Sequence, residues 1–240
     1  MTDYTLYYWP VPFRGQFIRA ILAHAGKTWD EPGDVGALTG AAPETQPVPF
    51  MGPPALIDTA TGFKLSQMPA IAFYLGDRLD LLPPDVEGRA TTIKIVNDAN
   101  DVIDDITLDG GREMWTPQTW KAYVPRLERW MAIFETTAQH SSLTPDTGYL
   151  LKREKAGVAD IVTATLWGTL GQHFPSIADR LRDRAPLIAG LTERMMATPH
   201  LSALAEDSRK RFGDVYCGGQ IEASMRQVIN GESHPKGKAG

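Results

Sequence analysis

The pattern of the chain changes at residues 81–85, and that change limits its architecture more than any other feature. Before Leu81-Leu82-Pro83-Pro84-Asp85, strand-like runs alternate with helical ones; beyond it, every periodic stretch repeats at helical spacing. Residues 5–9 read as an aromatic-rich strand closed by Pro10 and Pro12. After Gly15, the residues Phe17, Ile18, Ile21, Leu22 and Ala25 share one helical face, and Gly26 ends it. A weaker strand is expected over 28–31. Residues 32–54 are rich in Gly and Pro without a period and predict an ordered loop. Residues 55–58 and 63–65 predict a hairpin around 59–62, and 66–79 an amphipathic helix through Ile71, Tyr74 and Leu75. Helices are then expected over roughly 86–108, 117–139, 157–173, 176–184, 186–198 and 200–211, with Pro125 predicting a kink or a shorter start in the second. The fold class that follows is α/β plus all-α. One domain covers 1–80, a linker 81–85, a helical domain 86–217, and a tail 218–240 whose tip is expected to fray and whose earlier part either folds over a pocket between the domains or is disordered.

Composition narrows the functions. A net charge of −5 gives no reason to expect nucleic acid or an anionic membrane as partner. No apolar run reaches the roughly 20 residues of a membrane span, and residues 1–6 lack the features of a signal peptide. The lone cysteine, Cys217, cannot form an intramolecular disulfide and reads as a buried or inert thiol. A cytoplasmic protein is expected. His24, His140, His173, His200 and His234 are too scattered to predict a metal.

Two segments suggest a ligand site. Gly52-Pro53-Pro54-Ala55-Leu56-Ile57-Asp58 reads as a proline turn feeding a short buried strand. Leu65-Ser66-Gln67-Met68-Pro69-Ala70-Ile71 reads as a helix entry, with Ser66 able to cap and Pro69 in the first turn. A proline-constrained backbone facing a helix N-terminus can hold an extended peptide that carries a carboxylate.

Several separated elements, in order, give the chain a resemblance to the cytosolic glutathione transferases up to about residue 212. Tyr4-Thr-Leu-Tyr-Tyr-Trp-Pro-Val11 resembles the first strand of the tyrosine-using classes, the pi class above all. Pro54-Ala-Leu-Ile-Asp58 is similar to the cis-proline strand of their thioredoxin-like domain, and Gln67-x-x-Ala-Ile71 with Tyr74-Leu75 to the helix that follows it. Gly157-Val-Ala-Asp-Ile161 resembles the capping box that opens the central helix of their second domain.

The resemblance implies a thioredoxin-like βαβ-ββα domain followed by an all-helical bundle, with glutathione as co-substrate, no metal, and a homodimeric assembly. The reaction implied is attack of the glutathione thiolate on a small apolar electrophile, or reduction of a peroxide or disulfide. Tyr8 is the implied hydrogen-bond donor to the thiolate, with packing of the sheet as its alternative role; Tyr7 would face the other side of the strand. Val11, Pro12 and Phe13 occupy the place of the cysteine or serine used by other classes, although the segment from Tyr8 to Arg14-Gly15 is two residues longer than in the tyrosine classes. The implied glutathione contacts are Arg14, Gln16, Pro53, Pro54, Gln67 and Met68, together with Asp101 reaching across a dimer. Two of them depart from the family: Pro53 has no N–H to give the peptide, and Met68 replaces a serine. Residues 28–54 hold no Lys or Arg for the glycyl carboxylate. Otherwise Asp98, Asn100, Asp101, Asp104 and Asp105 form a solvated acidic face. Trp9 is the expected acceptor-pocket aromatic, with Trp115, Trp120, Trp130 and Trp167 more in keeping with core. The alternative to an enzyme is a non-catalytic ligand carrier or interaction module of the same fold.

Overall fold

Tyr4 and Leu6 are buried while Thr5 and Tyr7 are half-buried, and this alternation makes β1 (Tyr4–Tyr7) the inner strand of a four-stranded sheet in the computed structural model, which describes residues 2–231. The strand order is β2-β1-β3-β4. β2 (Trp29–Asp30) runs parallel to β1, so the connection must cross over, and α1 (Arg14–His24) makes that crossing. β3 (Ala55–Asp58) pairs antiparallel with β1, setting Tyr7 opposite Ala55, and β4 (Lys64–Ser66) closes the hairpin with Ser66 opposite Ala55. β1 stops two residues earlier than expected, ahead of Pro10, which has no N–H to extend the ladder.

Residues 32–54 carry more structure than a loop. A short α2 (Val35–Gly40) begins where the Asp34 carboxylate accepts the Ala37 N–H at 3.2 Å, and a 3₁₀ turn follows at Pro43–Thr45. The Gln46 side chain ties the segment together, donating to the Leu38 carbonyl at 2.9 Å and accepting the Phe50 N–H at 2.8 Å. Ser66 does not cap the next helix. It ends β4 and donates its hydroxyl to the Pro49 carbonyl at 3.0 Å, while α3 (Met68–Arg78) starts from Gln67 with Pro69 in its first turn.

The helical domain opens with α4 (Val86–Ile106), capped by Asp85, whose carboxylate accepts the Gly88 N–H at 2.7 Å. A single turn, α5 (Leu108–Gly111), left-handed in its backbone with all four φ values positive, leads to α6 (Pro117–Gln139), which Thr116 caps. α6 runs through Pro125 without a later start. α7 (Val158–His173) is buried almost all round and packs against α4, α8 (Pro175–Arg184), α9 (Pro186–Met196) and α1. At its start, the buried Asp160 carboxylate accepts the Gly157 N–H at 2.9 Å and the Leu150 N–H at 2.7 Å. Gly157 has no hydroxyl to complete the box, so Asp160 supplies the side-chain cap, and the Leu81 carbonyl accepts the Val158 N–H at 3.0 Å.

After α10 (Pro199–Phe212) the chain does not trail away as a tail. Ile221, Met225, Val228 and Ile229 form a buried stripe at helical spacing on α11 (Gly219–Asn230). The tip expected to fray, 233–240, lies outside the described residues. Because α1 touches α3 on one side and α7 and α10 on the other, one continuous core joins the two domains. No helix is long and apolar enough to cross a membrane among the described residues.

Candidate active site

A cleft of about 970 Å³ opens between the sheet domain and the helical domain. Its first wall comes from the loop after β1 (Tyr8, Trp9, Val11), the start of α1 (Phe13, Arg14), and Met51 to Pro54 with Gln67 and Met68. The opposite wall comes from α4 (Asn100, Asp104), from Thr107, Gly110 and Arg112, and from Cys217 and Ile221.

Tyr8 is fixed against the first turn of α1. Its ring lies so close to Gly15 that a Cβ there would stand 2.3 Å from the tyrosine Cδ1, a separation only glycine permits. Burial pushes the Tyr8 hydroxyl well above the usual phenol range, even though Arg14, Arg19 and the backbone N–H groups of Arg14 and Gly15 favour the phenolate. The group therefore remains a neutral phenol at pH 7, able to donate a proton in a hydrogen bond and unsuited to removing one. Tyr7 turns to the other face and packs with Val48, Phe50 and Ala55.

Arg19, which carried no signal in the sequence, organises the loop beyond Tyr8. Its buried guanidinium donates to both Glu31 carboxylate oxygens at 2.8 Å, to the Val11 carbonyl at 2.8 Å and to the Trp9 carbonyl at 3.1 Å. Burial alone would raise the Glu31 pKa, but the hydrogen bond and charge of Arg19 outweigh it and hold the carboxyl below its ordinary value.

The peptide bond between Pro53 and Pro54 is cis. Gln67 stands at φ 78°, a strained conformation for a residue with a Cβ, and its N–H is held by the Pro54 carbonyl at 3.1 Å. The backbone N–H groups that open α3 thus sit beside the cis-proline turn, with Gln67 exposed and Met68 buried below it.

Arg14 reaches the cleft already partnered. Its Nε donates to Asn100 Oδ1 at 3.2 Å and its guanidinium pairs with Asp104, which also accepts from Asn100 Nδ2 at 3.1 Å. The acidic face of α4 is therefore not simply solvated. Asp105 likewise accepts from Arg126 at 2.6 Å and from Trp130 at 2.7 Å. Asp101 is exposed on α4 outside the cleft lining, and its carboxyl is raised by partial burial and the neighbouring Asp104 and Asp98.

Gln16 does not reach the cleft. Its amide nitrogen donates to Ser208 Oγ at 3.0 Å inside the core, so the identity of the residue misled about its direction. Of the tryptophans, Trp115, Trp120 and Trp167 are core, and Trp9, 39% exposed, lines the cleft.

The C-terminal wall is pinned by Glu222. Its Oε2 accepts the N–H groups of Tyr216 at 3.0 Å, Cys217 at 2.9 Å and Gly218 at 2.6 Å, and Arg226 pairs with its other oxygen. Buried Tyr216 packs edge-on against Phe13 and Phe174. Burial, with the nearby Glu222 charge, pushes the Cys217 thiol up to about 12, so it is a neutral group in the cleft and not a nucleophile. Among the described residues, no three His, Cys, Asp or Glu side chains converge to hold a metal.

Asn100, Asp104, Thr107, Arg112 and Ile221 were not read as site residues from the sequence. For Ile221 a signal existed, since the stripe through Met225 and Ile229 marks a helix. For Arg112 none did.

Comparison with known proteins agrees with this arrangement. Among the solved structures that match, several do so with nearly their whole length. NaGST-2 is 24% identical, with 86% of this chain and 97% of that chain covered at a TM-score of 0.69. A Nu-class GST from Haemonchus contortus is 20% identical, with 86% and 97% covered at 0.67. Na-GST-3 from the hookworm Necator americanus, described as monomeric, is 21% identical, with 85% and 97% covered at 0.69. At these identities the likeness speaks for the fold. Among curated proteins, sequence comparison finds no match. The family profile described as glutathione S-transferase, C-terminal domain, matches residues 91–228, more than half of the chain. On that match, and with the fold in agreement, this protein belongs to the glutathione S-transferase family.

Proposed function

We propose that this protein is a cytoplasmic glutathione transferase that ionises the thiol of reduced glutathione and directs it at an electrophile, as in detoxification. The reading is carried by Tyr8, a neutral phenol that shares one cleft with cis-Pro54, Gln67 and Met68. The γ-glutamyl carboxylate would sit at the start of α3 against Gln67 and the Met68 N–H, where the helix end favours an anion. The Pro53 carbonyl would accept from the cysteinyl unit. The N–H that proline lacks costs about 1 kcal/mol of binding. Arg14 would face the glycyl carboxylate, its charge reduced by Asp104. Asp101 would reach the γ-glutamyl amine of a glutathione bound to a second copy, in a homodimer.

In the reaction, the thiol proton passes to water and the Tyr8 hydroxyl donates to the resulting thiolate. A hydrogen bond to a charged group is worth roughly 1.5–3 kcal/mol, enough to lower a thiol pKa by about 1–2 units. The sulfur then bonds to the electrophilic carbon while the leaving group departs with its electron pair. Peroxide or disulfide reduction would use the same thiolate.

Glutathione bound only by the native state raises the melting temperature. A titration to millimolar glutathione is therefore expected to shift the transition upward, and a flat response would remove the reading. Given a shift, Tyr8→Phe is expected to lower the thiol-transfer rate about 10- to 100-fold at neutral pH with glutathione affinity little changed. An unaltered rate would leave Tyr8 as packing only. A non-catalytic carrier is the second reading, favoured by Pro53 and by the neutralised Arg14. It predicts the thermal shift with no transfer to any electrophile.

A further inference from the structure

We propose that the acceptor is an apolar, flat electrophile that carries a carboxylate, and that Arg112 selects it; this rests on the transferase reading above. The cleft holds two cations among the described residues, Arg14 and Arg112. They are not equivalent. Arg14 is consumed by Asp104 and Asn100, leaving a nearly neutral cluster that bridges the two walls. The exposed Arg112 guanidinium has neither a hydrogen-bond nor an ion-pair partner among the described residues, although it stands on the opposite wall.

The backbone that presents Arg112 is strained and fastened. Leu108, Asp109, Gly110 and Gly111 have φ values of 48°, 52°, 76° and 86°, a run that two non-glycine residues join only because the surroundings hold them. The clamps lie on both sides. The Trp115 N–H donates to Ser224 Oγ at 3.1 Å and its indole N–H to the Ile106 carbonyl at 2.8 Å. Gly111 lies against Ile221, where a Cβ would come within 3.3 Å of the isoleucine. The root of Arg112 is thereby fixed at the cleft mouth while its fork is left without an anion.

Asn100, Asp104 and Thr107 give this space a polar side along α4, and an apolar surface faces them. Trp9, Val11 and Phe13 form that surface from the first domain and Ile221 from α11, with Cys217 contributing a neutral thiol. Such a surface suits the body of an aromatic electrophile, and a planar guanidinium at its edge suits a carboxylate held by two parallel hydrogen bonds. Since Arg112 remains solvent-accessible, screening limits the gain, and about tenfold in acceptor preference is the expected size.

The test uses the full chain at saturating glutathione with two matched acceptors, 1-chloro-2,4-dinitrobenzene and 4-chloro-3,5-dinitrobenzoate. In each, the sulfur–carbon bond forms as the carbon–chlorine bond breaks, chloride leaves with the bonding pair, and the thiol proton goes to water. After correction for the uncatalysed rates, the wild type is expected to favour the carboxylate by kcat/KM. Arg112→Gln should lower that preference about tenfold and Arg112→Glu further. An equal effect on both acceptors would overturn the proposal. So would an increase in KM for glutathione with the preference intact, which would move Arg112 to the peptide. If the wild type turns over neither acceptor, aryl transfer is removed from the transferase reading, while attack on other electrophiles and peroxide or disulfide reduction stand. Quenching of tryptophan fluorescence by 3,5-dinitrobenzoate and 1,3-dinitrobenzene then decides the role of Arg112: tighter binding of the benzoate, abolished in Arg112→Glu, upholds it, and equal binding overturns it.

Discussion

Replacing Arg19 by Met is expected to lower stability by ~3–5 kcal/mol and to disable the cleft together with it. The methionine fills most of the volume but leaves the nearly buried Glu31 carboxylate without its bidentate partner, with only Trp29 at 2.8 Å and the more distant Arg211 beside it. The Trp9 and Val11 carbonyls lose their donor as well. Arg19→Lys keeps the charge but cannot meet four acceptors from one planar fork, so it should recover only part of the loss. Denaturant unfolding would show this as a lower midpoint with an unchanged slope. A loss under 1 kcal/mol would mean that water replaces Arg19 at little cost. The same pair has a pH signature. Glu31 has a lowered pKa in the folded state, so its contribution is present above the ordinary glutamate pKa and is lost as pH falls below it.

Asp160→Ala is the second large effect, at about 3–4 kcal/mol, because two buried N–H groups lose their shared acceptor at the start of the central helix. Asp160 also titrates in the opposite sense to Glu31. Burial outweighs its hydrogen bonds to Gly157 and Leu150 and pushes its carboxyl up to about 6 from 3.8. Between those values the folded chain holds a proton that the unfolded chain has released. This contribution to stability therefore falls as pH rises from about 4 to about 6 and stays low above that. The wild type should gain on Asp160→Asn by up to ~3 kcal/mol as pH is lowered through this window. Unfolding curves at pH 4, 5, 6 and 7 read that difference directly, and a gap that widens in the other direction would sink the assignment.

Residues with local consequences were legible in the sequence. Thr116 and Pro117 mark the start of α6, and the bounds read from its period match those of the helix. The strand Ala55–Asp58 was equally clear from its flanking prolines and turn. Failures came where a distant partner decides the outcome. Gln16 has the chemistry of a ligand contact, yet Ser208 from α10 captures its amide. Ser66 can cap a helix, but the Pro49 carbonyl claims its hydroxyl. Asp104 reads as one more surface acid until α1 delivers Arg14 to it. Arg112 shows the limit most plainly, since nothing in its neighbours along the chain reveals that a strained turn aims it at a cleft. The segment after Gly218 is different in kind: the stripe of Ile221, Met225 and Ile229 that makes it α11 is local and present in the sequence.

Glu222, by gathering three consecutive backbone N–H groups, fastens the segment Tyr216–Gly218 into the wall of the cleft. The surface proposed for the peptide is thus written in the first seventy or so residues, and part of the facing surface in the segment around Cys217 and Ile221. A lineage of such proteins could exchange α11, by substitution or recombination, and acquire new chemistry on one side while inheriting the other intact. Diversification and conservation would then be separated along the gene, with selection free to act on one without disturbing the other.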